Sequence, residues 1–123
     1  MTVFEDDELA YLLGERRLAR IATVGADGVP HVTPVGWSYN AEIGTIDVGG
    51  HGNERTKKYR DVQHTGRAAI VVDDVQPPWQ PRGVEVRGRA ETVDGVIRIH
   101  PDRVVSWGLP AGRKARNVGN VSA

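Results

Sequence analysis

Short stretches of alternating apolar and polar residues run along most of the chain, and this is the pattern of strands with one buried face. The clearest stretch covers residues 84–92, where Val84, Val86, Gly88 and Ala90 share one face and mostly charged residues share the other. Further strands are predicted over residues 18–24, 30–39, 45–49 and 67–73, with one or two more over 96–99 and 103–107, interrupted at Pro101. The pattern therefore predicts six or so short strands.

Two helices are predicted beside these strands. The first covers residues 7–17, with Asp6 or Asp7 as a suitable N-cap. Its predicted apolar face comprises Leu9, Leu12 and Leu13. The second follows Asn53 as its cap and ends at Gly66.

The composition fits a mostly β domain. Fifteen of the 123 residues are glycine, which indicates many tight turns between short strands. Because closure of a sheet hides its edges, the best arrangement for such strands is a closed or partly closed antiparallel barrel. We expect one cofactor-binding domain over residues 1–109, followed by a basic and mobile tail over residues 110–123.

The composition also indicates in which compartment the protein resides and which partners it does not bind. The chain has no cysteine, no apolar run long enough to cross a membrane, and an acidic N-terminal stretch where a signal peptide would be basic. We therefore expect a cytoplasmic protein. Sixteen basic and sixteen acidic residues give zero net charge, which argues against a nucleic-acid partner.

The most informative motif is a glycine loop that leads into a basic helix, over residues 49–58. Glycines let a backbone approach a ligand closely, and the amides at a helix N-terminus carry partial positive charge. Together with basic and hydroxyl side chains in the first turn, they favour one phosphate group. The simpler alternative is a solvated basic helix face, since a glycine-rich loop is weak evidence by itself.

The second predicted strand contains Pro34 and Gly36, which leave backbone groups without ladder partners. Those groups could hydrogen-bond the edge of a flat heterocycle while Val35 or Trp37 covers its face. The alternative is an edge strand with a bulge.

Three prolines stiffen the loop over residues 75–83. Trp79 and Arg82 are then held in place, as a ligand lid or a subunit contact requires. A rigid surface loop with an amphipathic Trp is an equal alternative.

The sequence offers no strong catalytic motif of its own. Its four histidines form no zinc-binding pair, and no Gly-x-Ser-x-Gly nucleophile motif occurs. An enzyme of this kind would rely on the chemistry of a cofactor. No acid or base is assigned; the candidates are Tyr39, His51 and His31.

Five short ranges, taken in order, resemble one known family. Residues 18–35 (LARIATVGADGVPHVTPV) are similar to the opening hairpin of the pyridoxamine-phosphate-oxidase-like split-barrel superfamily. Residues 58–62 (KYRDV) and 66–72 (GRAAIVV) resemble its helix and following strand. Residues 77–91 (PPWQPRGVEVRGRAE) and 99–109 (IHPDRVVSWGL) look like the actinobacterial branch that uses the deazaflavin coenzyme F420.

The resemblance implies a six-stranded Greek-key split β-barrel, a homodimer, and one cofactor per subunit in the groove between subunits. The implied phosphate-binding residues are Gly50, Asn53, Arg55, Thr56, Lys57 and Lys58. The implied ring-binding residues are Thr33, Pro34, Val35 and Gly36, with Trp79 and Arg82 contributed by the partner subunit. The tail residues Arg113, Lys114 and Arg116 would attract the oligoglutamate chain of the deazaflavin.

These implications lead to one main hypothesis and two alternatives. The main hypothesis is an F420-dependent oxidoreductase that transfers a hydride to an unsaturated or quinone-like small molecule. The near alternative is an oxidase or reductase of the same fold that uses flavin mononucleotide (FMN). The alternative from another class is a non-catalytic barrel that binds or carries a cofactor.

Overall fold

The computed structural model describes residues 2–15 and 17–119 of the chain. It confirms a mostly β fold with two short helices. The helices are α1 (Asp6–Leu13) and α2 (Lys57–Thr65), and a 3-10 turn (Asn53–Arg55) precedes α2. The strands are β1 (Ala19–Val24), β2 (Pro30–Val35), β3 (Ser38–Asn40), β4 (Thr45–Val48), β5 (Arg67–Gln76), β6 (Gln80–Val93), β7 (Val96–Trp107) and β8 (Lys114–Asn117).

All the described strands belong to one antiparallel sheet, in the order β2-β1-β5-β6-β7-β4-β3, and β8 adds to β7. The first and last strands of this path are consecutive in the chain, since only Gly36 and Trp37 separate β2 from β3. The chain itself therefore closes the barrel, and the sheet is split where β2 ends and β3 begins. This is the expected split barrel, and the predicted strand over residues 30–39 is in fact two strands.

The core lies on the inner face of this sheet. The register places Ile21, Ile70, Val86 and Val104 side by side across four strands, and each is at most 2% exposed. Burying an aliphatic side chain of this size stabilises the fold by about 1.5–3 kcal/mol. The predicted alternation of β6 is confirmed, because its apolar positions face this core.

Helix α1 is shorter than predicted. It begins with a capping box between Glu5 and Glu8 and ends at Leu13, before the glycine at position 14. The proposed cap at Asp6 or Asp7 is therefore wrong, and Arg16 lies outside the described residues. Tyr11 and Leu12 face the core while Leu13 is 63% exposed, so the predicted apolar face is also partly wrong.

Strand β7 runs through Pro101 without a break. Its register with β6 shifts between Arg87 and Gly88, which makes a β-bulge beside Pro101. A Cβ on Gly88 would collide with the backbone of His100, so only glycine fits at this close approach. The predicted interruption is thus a bulge within one strand.

The tail forms part of the sheet. Lys114–Asn117 pair with β7, and the side chains of Lys114 and Arg116 reach the acidic start of α1. The expectation of a mobile tail is wrong for these four residues. None of the helices in the described parts of the chain is long and apolar enough to cross a membrane.

Candidate functional site

The loop before α2 owes its shape to glycine. Gly50 and Gly52 both have positive φ, at 138° and 69°, where other residues are strained. A Cβ on Gly52 would also lie 2.5 Å from Nη2 of Arg55, because that guanidinium folds back across the loop. The loop therefore brings a cation close to an exposed backbone.

Thr56 caps α2. Its Oγ1 accepts a hydrogen bond from the backbone N–H of Tyr59 at 3.3 Å. The N–H groups of Lys57 and Lys58 stand in the first turn, where an α-helix provides no backbone acceptor. These two amides and the positive end of the helix are suited to an anion.

Asn53 has a different role from the predicted one. It is 2% exposed, and its side-chain amide donates to the carbonyl oxygens of Val48 and Gly95, at 3.2 and 2.7 Å. It ties the glycine loop to the end of β4 and to the β6–β7 turn. The prediction that Asn53 caps the helix is wrong, since Thr56 does so.

The lysines at the start of α2 differ in their surroundings. Lys57 Nζ lies 3.0 Å from Oδ1 of Asp61, one helical turn later. Asp61 is 3% exposed and also accepts a 2.8 Å hydrogen bond from the hydroxyl of Thr23 on β1. Lys58 makes no ion pair within the described residues. Lys57 is thus oriented by a buried carboxylate, whereas Lys58 is available to a ligand.

Burial acts to raise the pKa of Asp61, but the hydrogen bonds from Lys57 and Thr23 outweigh it and hold the pKa below its usual value. The carboxylate is therefore charged at neutral pH and holds the Lys57 ammonium in place. Our sequence interpretation missed Asp61 and Thr23. The i, i+4 spacing of Lys57 and Asp61 on a helix was the signal that could have found the pair.

His31 lies across from Thr23 in the β1–β2 register. Its Nδ1 is buried and has no hydrogen-bond partner within the described residues. His31 also contributes to the low pKa of Asp61. It is therefore part of the polar surroundings of Asp61.

Strand β2 carries the predicted ring-binding residues. Its ladder partner among the described strands is β1, so its other edge is free. Pro34 and Gly36 are exposed and Thr33 is half-buried, but Val35 is in the core at 8% exposure. The idea that the Val35 side chain covers a ligand's face is therefore wrong. Trp37 is half-buried and donates its indole N–H to the carbonyl of Arg17 at 2.7 Å.

The β5–β6 hairpin carries Trp79 and Arg82, the two residues predicted to contact a ligand or a second subunit, but only Trp79 is free to do so. Trp79 stands at the tip and is 76% exposed. Arg82 instead forms a bidentate pair with Asp74, with distances of 2.8 and 3.0 Å. Tyr11 of α1 donates to the same carboxylate at 2.7 Å, so this cluster fastens the hairpin to α1.

The two remaining acid–base candidates are Tyr39, which other side chains hold in place, and His51, which is exposed. Tyr39 donates its hydroxyl proton to Oγ1 of Thr2 at 2.8 Å, and its ring packs edge-on against Phe4. His51 is exposed in the glycine loop. No group of three or more potential ligand side chains is placed to hold a metal ion in residues 2–15 and 17–119.

The predicted binding residues thus occupy three places: the loop and first turn of α2, strand β2, and the β5–β6 hairpin. No hydrogen bond or ion pair between these groups occurs among the described residues. The loop and the first turn of α2 bring together amides and basic side chains that are suited to an anion, without the other two places.

A separate feature is the outer face of the sheet, by which we mean the exposed side of β2, β1, β5, β6 and β7 around Val32. It holds an open depression of about 370 Å³, and Val32 is 66% exposed. Apolar residues make up most of its lining, with one basic and one acidic residue among them: Ala22, Val32, Ala69, Ile70, Val71, Trp107, Arg20 and Glu85. Exposed apolar surface of this kind is typical of interaction sites.

Comparison with known proteins gives consistent matches. The family model described as pyridoxamine 5'-phosphate oxidase matches residues 5–108. A curated relative, the 5a,11a-dehydrotetracycline/5a,11a-dehydrooxytetracycline reductase of Streptomyces rimosus subsp. rimosus, is 38% identical over 133 residues. That alignment covers 94% of this chain and 93% of the reductase.

Solved structures share the fold. The FAD binding protein from Mycobacterium smegmatis superposes with a TM-score of 0.63 at 25% identity, over 84% of this chain and 93% of that one. An F420 reductase superposes with a TM-score of 0.60 at 19% identity, over 77% of this chain and 94% of that one. Because the family model spans most of the chain and the reductase aligns along nearly all of it, the chain belongs to the pyridoxamine 5'-phosphate oxidase family.

Proposed function

We propose that this protein is a cytoplasmic oxidoreductase that transfers a hydride between the deazaflavin F420 and an unsaturated or quinone-like small molecule. The observation that carries the proposal is the 38% identity with a reductase along nearly the whole chain. The family match and the FAD-binding and F420-reductase neighbours support a cofactor of the flavin type.

The residues at α2 fit the phosphate of such a cofactor. The first-turn amides, Lys58 and Arg55 supply donors and positive charge, and Thr56 and Asp61 fix the geometry around them. Asn53 contributes by holding the loop from beneath. F420 and FMN both carry a phosphate group, so this site would serve either cofactor.

We place the ring of the cofactor along β2, from Thr33 to Gly36. The free edge of the strand supplies backbone hydrogen-bonding groups, and a Cβ at Gly36 would meet nothing within 4 Å. When bound in reduced form, the cofactor would supply a hydride, and a proton from solvent would complete the two-electron reduction of the acceptor. The chain's own task is to orient the two partners and exclude water.

We propose further that two copies associate through the outer face of the sheet. Its exposed apolar residues support an interface, and the exposed Trp79 would reach the cofactor of the other copy. Arg82 is committed to Asp74, so we assign it to holding the hairpin in place.

A second candidate is FMN in place of F420, and the 25% identity with an FAD-binding protein favours it. A third is a non-catalytic cofactor carrier of the same fold. All three use the same anion site, so cofactor preference distinguishes the first two, and turnover of an acceptor distinguishes both from the carrier.

The test is a parallel titration of the purified protein with F420 and with FMN, followed by cofactor fluorescence. Micromolar binding of F420 with much weaker binding of FMN supports the main proposal. The reverse preference supports the second candidate. If neither cofactor binds, the proposed function is wrong.

A further inference from the structure

A small cleft lies where the barrel is split. It has a volume of about 250 Å³ and separates the end of α1 from the chain that leaves β2. We name it the split cleft and define it by its lining residues: Leu12, Leu13, Gly14 and Glu15 on one side, and Trp37, Ser38 and Tyr39 on the other.

The split cleft begins directly after the proposed ring site. Trp37 and Ser38 follow Gly36 in the chain, and a residue of extended chain spans only about 3.3 Å. The backbone of Ser38 therefore lies within about 7 Å of that of Gly36, by the same rise per residue. An acceptor held in the cleft would be a neighbour of a ring held against β2.

One wall of the cleft is fixed before any ligand arrives. The indole of Trp37 is held by its hydrogen bond to Arg17, and the hydroxyl of Tyr39 by its bond to Thr2. Both aromatic rings thus have their polar ends occupied within the chain. Flat apolar walls of this kind suit a flat ring compound.

The opposite wall has an apolar side chain that nothing covers. Leu13 is 63% exposed, although the residue before it, Leu12, is 5% exposed in the core. A ligand in the cleft would remove this aliphatic surface from water, which is favourable.

A cation lies at the end of α1 beside the cleft. The Arg17 guanidinium donates to the carbonyl of Tyr11 in the last turn of the helix, at 2.7 Å, and to that of Glu15, at 3.3 Å. It therefore offsets the partial negative charge of the helix C-terminus.

We infer that the split cleft binds the acceptor substrate, and that this substrate is a flat ring compound. The inference rests on the proposed function. A volume of about 250 Å³ is below the roughly 300–1,000 Å³ typical of sites for drug-sized ligands, so the cleft holds one or two fused rings and a larger substrate extends beyond it.

The test uses menadione, a neutral two-ring quinone, and variants that fill the cleft. Leu13→Trp places a bulky ring in the cleft from one wall, and Ser38→Trp does so from the other. Leu18→Trp is the matched control, because Leu18 is also exposed, at 54%, but does not line the cleft. All three positions are exposed, so the fold should tolerate each change.

We expect Leu13→Trp and Ser38→Trp to raise the Kd of menadione, measured by equilibrium dialysis without cofactor, by about tenfold, which is a loss of about 1.4 kcal/mol. The KM for menadione with reduced F420 should rise in parallel, while the Kd of F420 stays within about twofold of wild type, a change of about 0.4 kcal/mol. Leu18→Trp should resemble wild type in all three measurements.

Equal menadione affinity in the cleft variants and the control overturns the inference. Failure of the proposed function has a different signature, because it appears as absent binding of F420. The dialysis measurements need no cofactor and decide the cleft assignment in either case.

Discussion

The side chains of Lys57 and Asp61 are joined across one turn of α2, with 3.0 Å between Nζ and Oδ1. The Asp61 carboxylate is buried and the Lys57 ammonium is half-exposed, so the carboxylate fixes the direction in which the lysine side chain points. The anion site therefore has one lysine held by the protein and a second, Lys58, without an ion-pair partner within the described residues.

This difference leads to a prediction for cofactor binding. Lys58→Ala should weaken binding of F420 or FMN about tenfold, since a hydrogen bond to a charged group contributes about 1.5–3 kcal/mol. The double variant Lys57→Ala/Lys58→Ala should weaken it further and leave the fold intact. Fluorescence titration measures the effect, with Arg89→Ala as an exposed control. Unchanged affinity in the double variant would show that the phosphate of the cofactor does not bind at this site.

Asp61 should matter for stability as well. Asp61→Ala leaves the Thr23 hydroxyl, which is 4% exposed, without its acceptor and frees Lys57. We expect the free energy of unfolding to fall by about 2–3 kcal/mol, as is usual when a buried hydrogen-bonded charge is removed. Urea denaturation checks this against Glu42→Ala, an exposed acid. Equal midpoints for the two variants would show that the cluster contributes nothing.

Because the pKa of Asp74 is lowered in the folded protein, the stability of the fold should depend on pH. The hydrogen bond from Arg82, together with that from Tyr11, holds the pKa of Asp74 at about 2, below its ordinary value of 3.8. A lowered pKa stabilises the folded state fully above the unfolded value, and this contribution is lost as the pH falls through the folded value. After allowance for screening of a partly exposed group, it amounts to about 1–2 kcal/mol.

The variant Asp74→Asn isolates this contribution. The difference in unfolding free energy between wild type and Asp74→Asn should be constant from pH 7 to 5 and should shrink between pH 4 and 2. Denaturant titrations at several pH values measure it. A difference that stays constant down to pH 2 would contradict the assigned ion pair.

Arg116 should be the most important residue of the C-terminal strand. Burial acts to raise the pKa of Glu8, but hydrogen bonds from Arg116 and Ser106 hold it below its usual value. Arg116→Ala leaves this fully buried carboxylate without its cation, which costs about 3–5 kcal/mol when a buried pair is broken. Thermal unfolding beside Arg113→Ala tests this, and similar Tm values would refute it.

Substitution of Trp79 should affect cofactor binding between two copies without affecting the stability of the fold. Because its side chain is 76% exposed, Trp79→Ala should leave the Tm unchanged within about 2 °C. If it reaches the cofactor of a second copy, the same change should weaken cofactor binding severalfold, whereas Leu18→Ala should not. Titration and analytical ultracentrifugation measure both effects. Identical cofactor affinity in both variants would place Trp79 outside the site.

Much of this fold could be predicted from local pattern. The alternation in β6 and the glycine that ends α2 are features of neighbouring residues, and both are confirmed. The missed details depend on contacts distant in sequence. Residues 114–117 form a strand because they hydrogen-bond to β7 and because their basic side chains pair with carboxylates of α1. The sequence of residues 110–119 alone does not indicate either contact.

The candidate site shows the same division. The candidate anion site could be proposed from the sequence because the glycine loop and the two lysines are consecutive in the chain. Asn53 was misassigned as a cap, because its partners Val48 and Gly95 come together only in the folded barrel. Arg82 matched the pattern of a ligand residue, but its neighbour in space, Asp74, satisfies it within the same chain.

The pairing of Glu8 with Arg116 also sets an order of events during synthesis. The two residues are 108 positions apart, so the carboxylate leaves the ribosome long before its cation does. Until residue 116 has emerged, docking α1 in its final place would bury an uncompensated charge. The helix nearest the start of the chain is therefore among the last parts of the nascent protein to reach its final position.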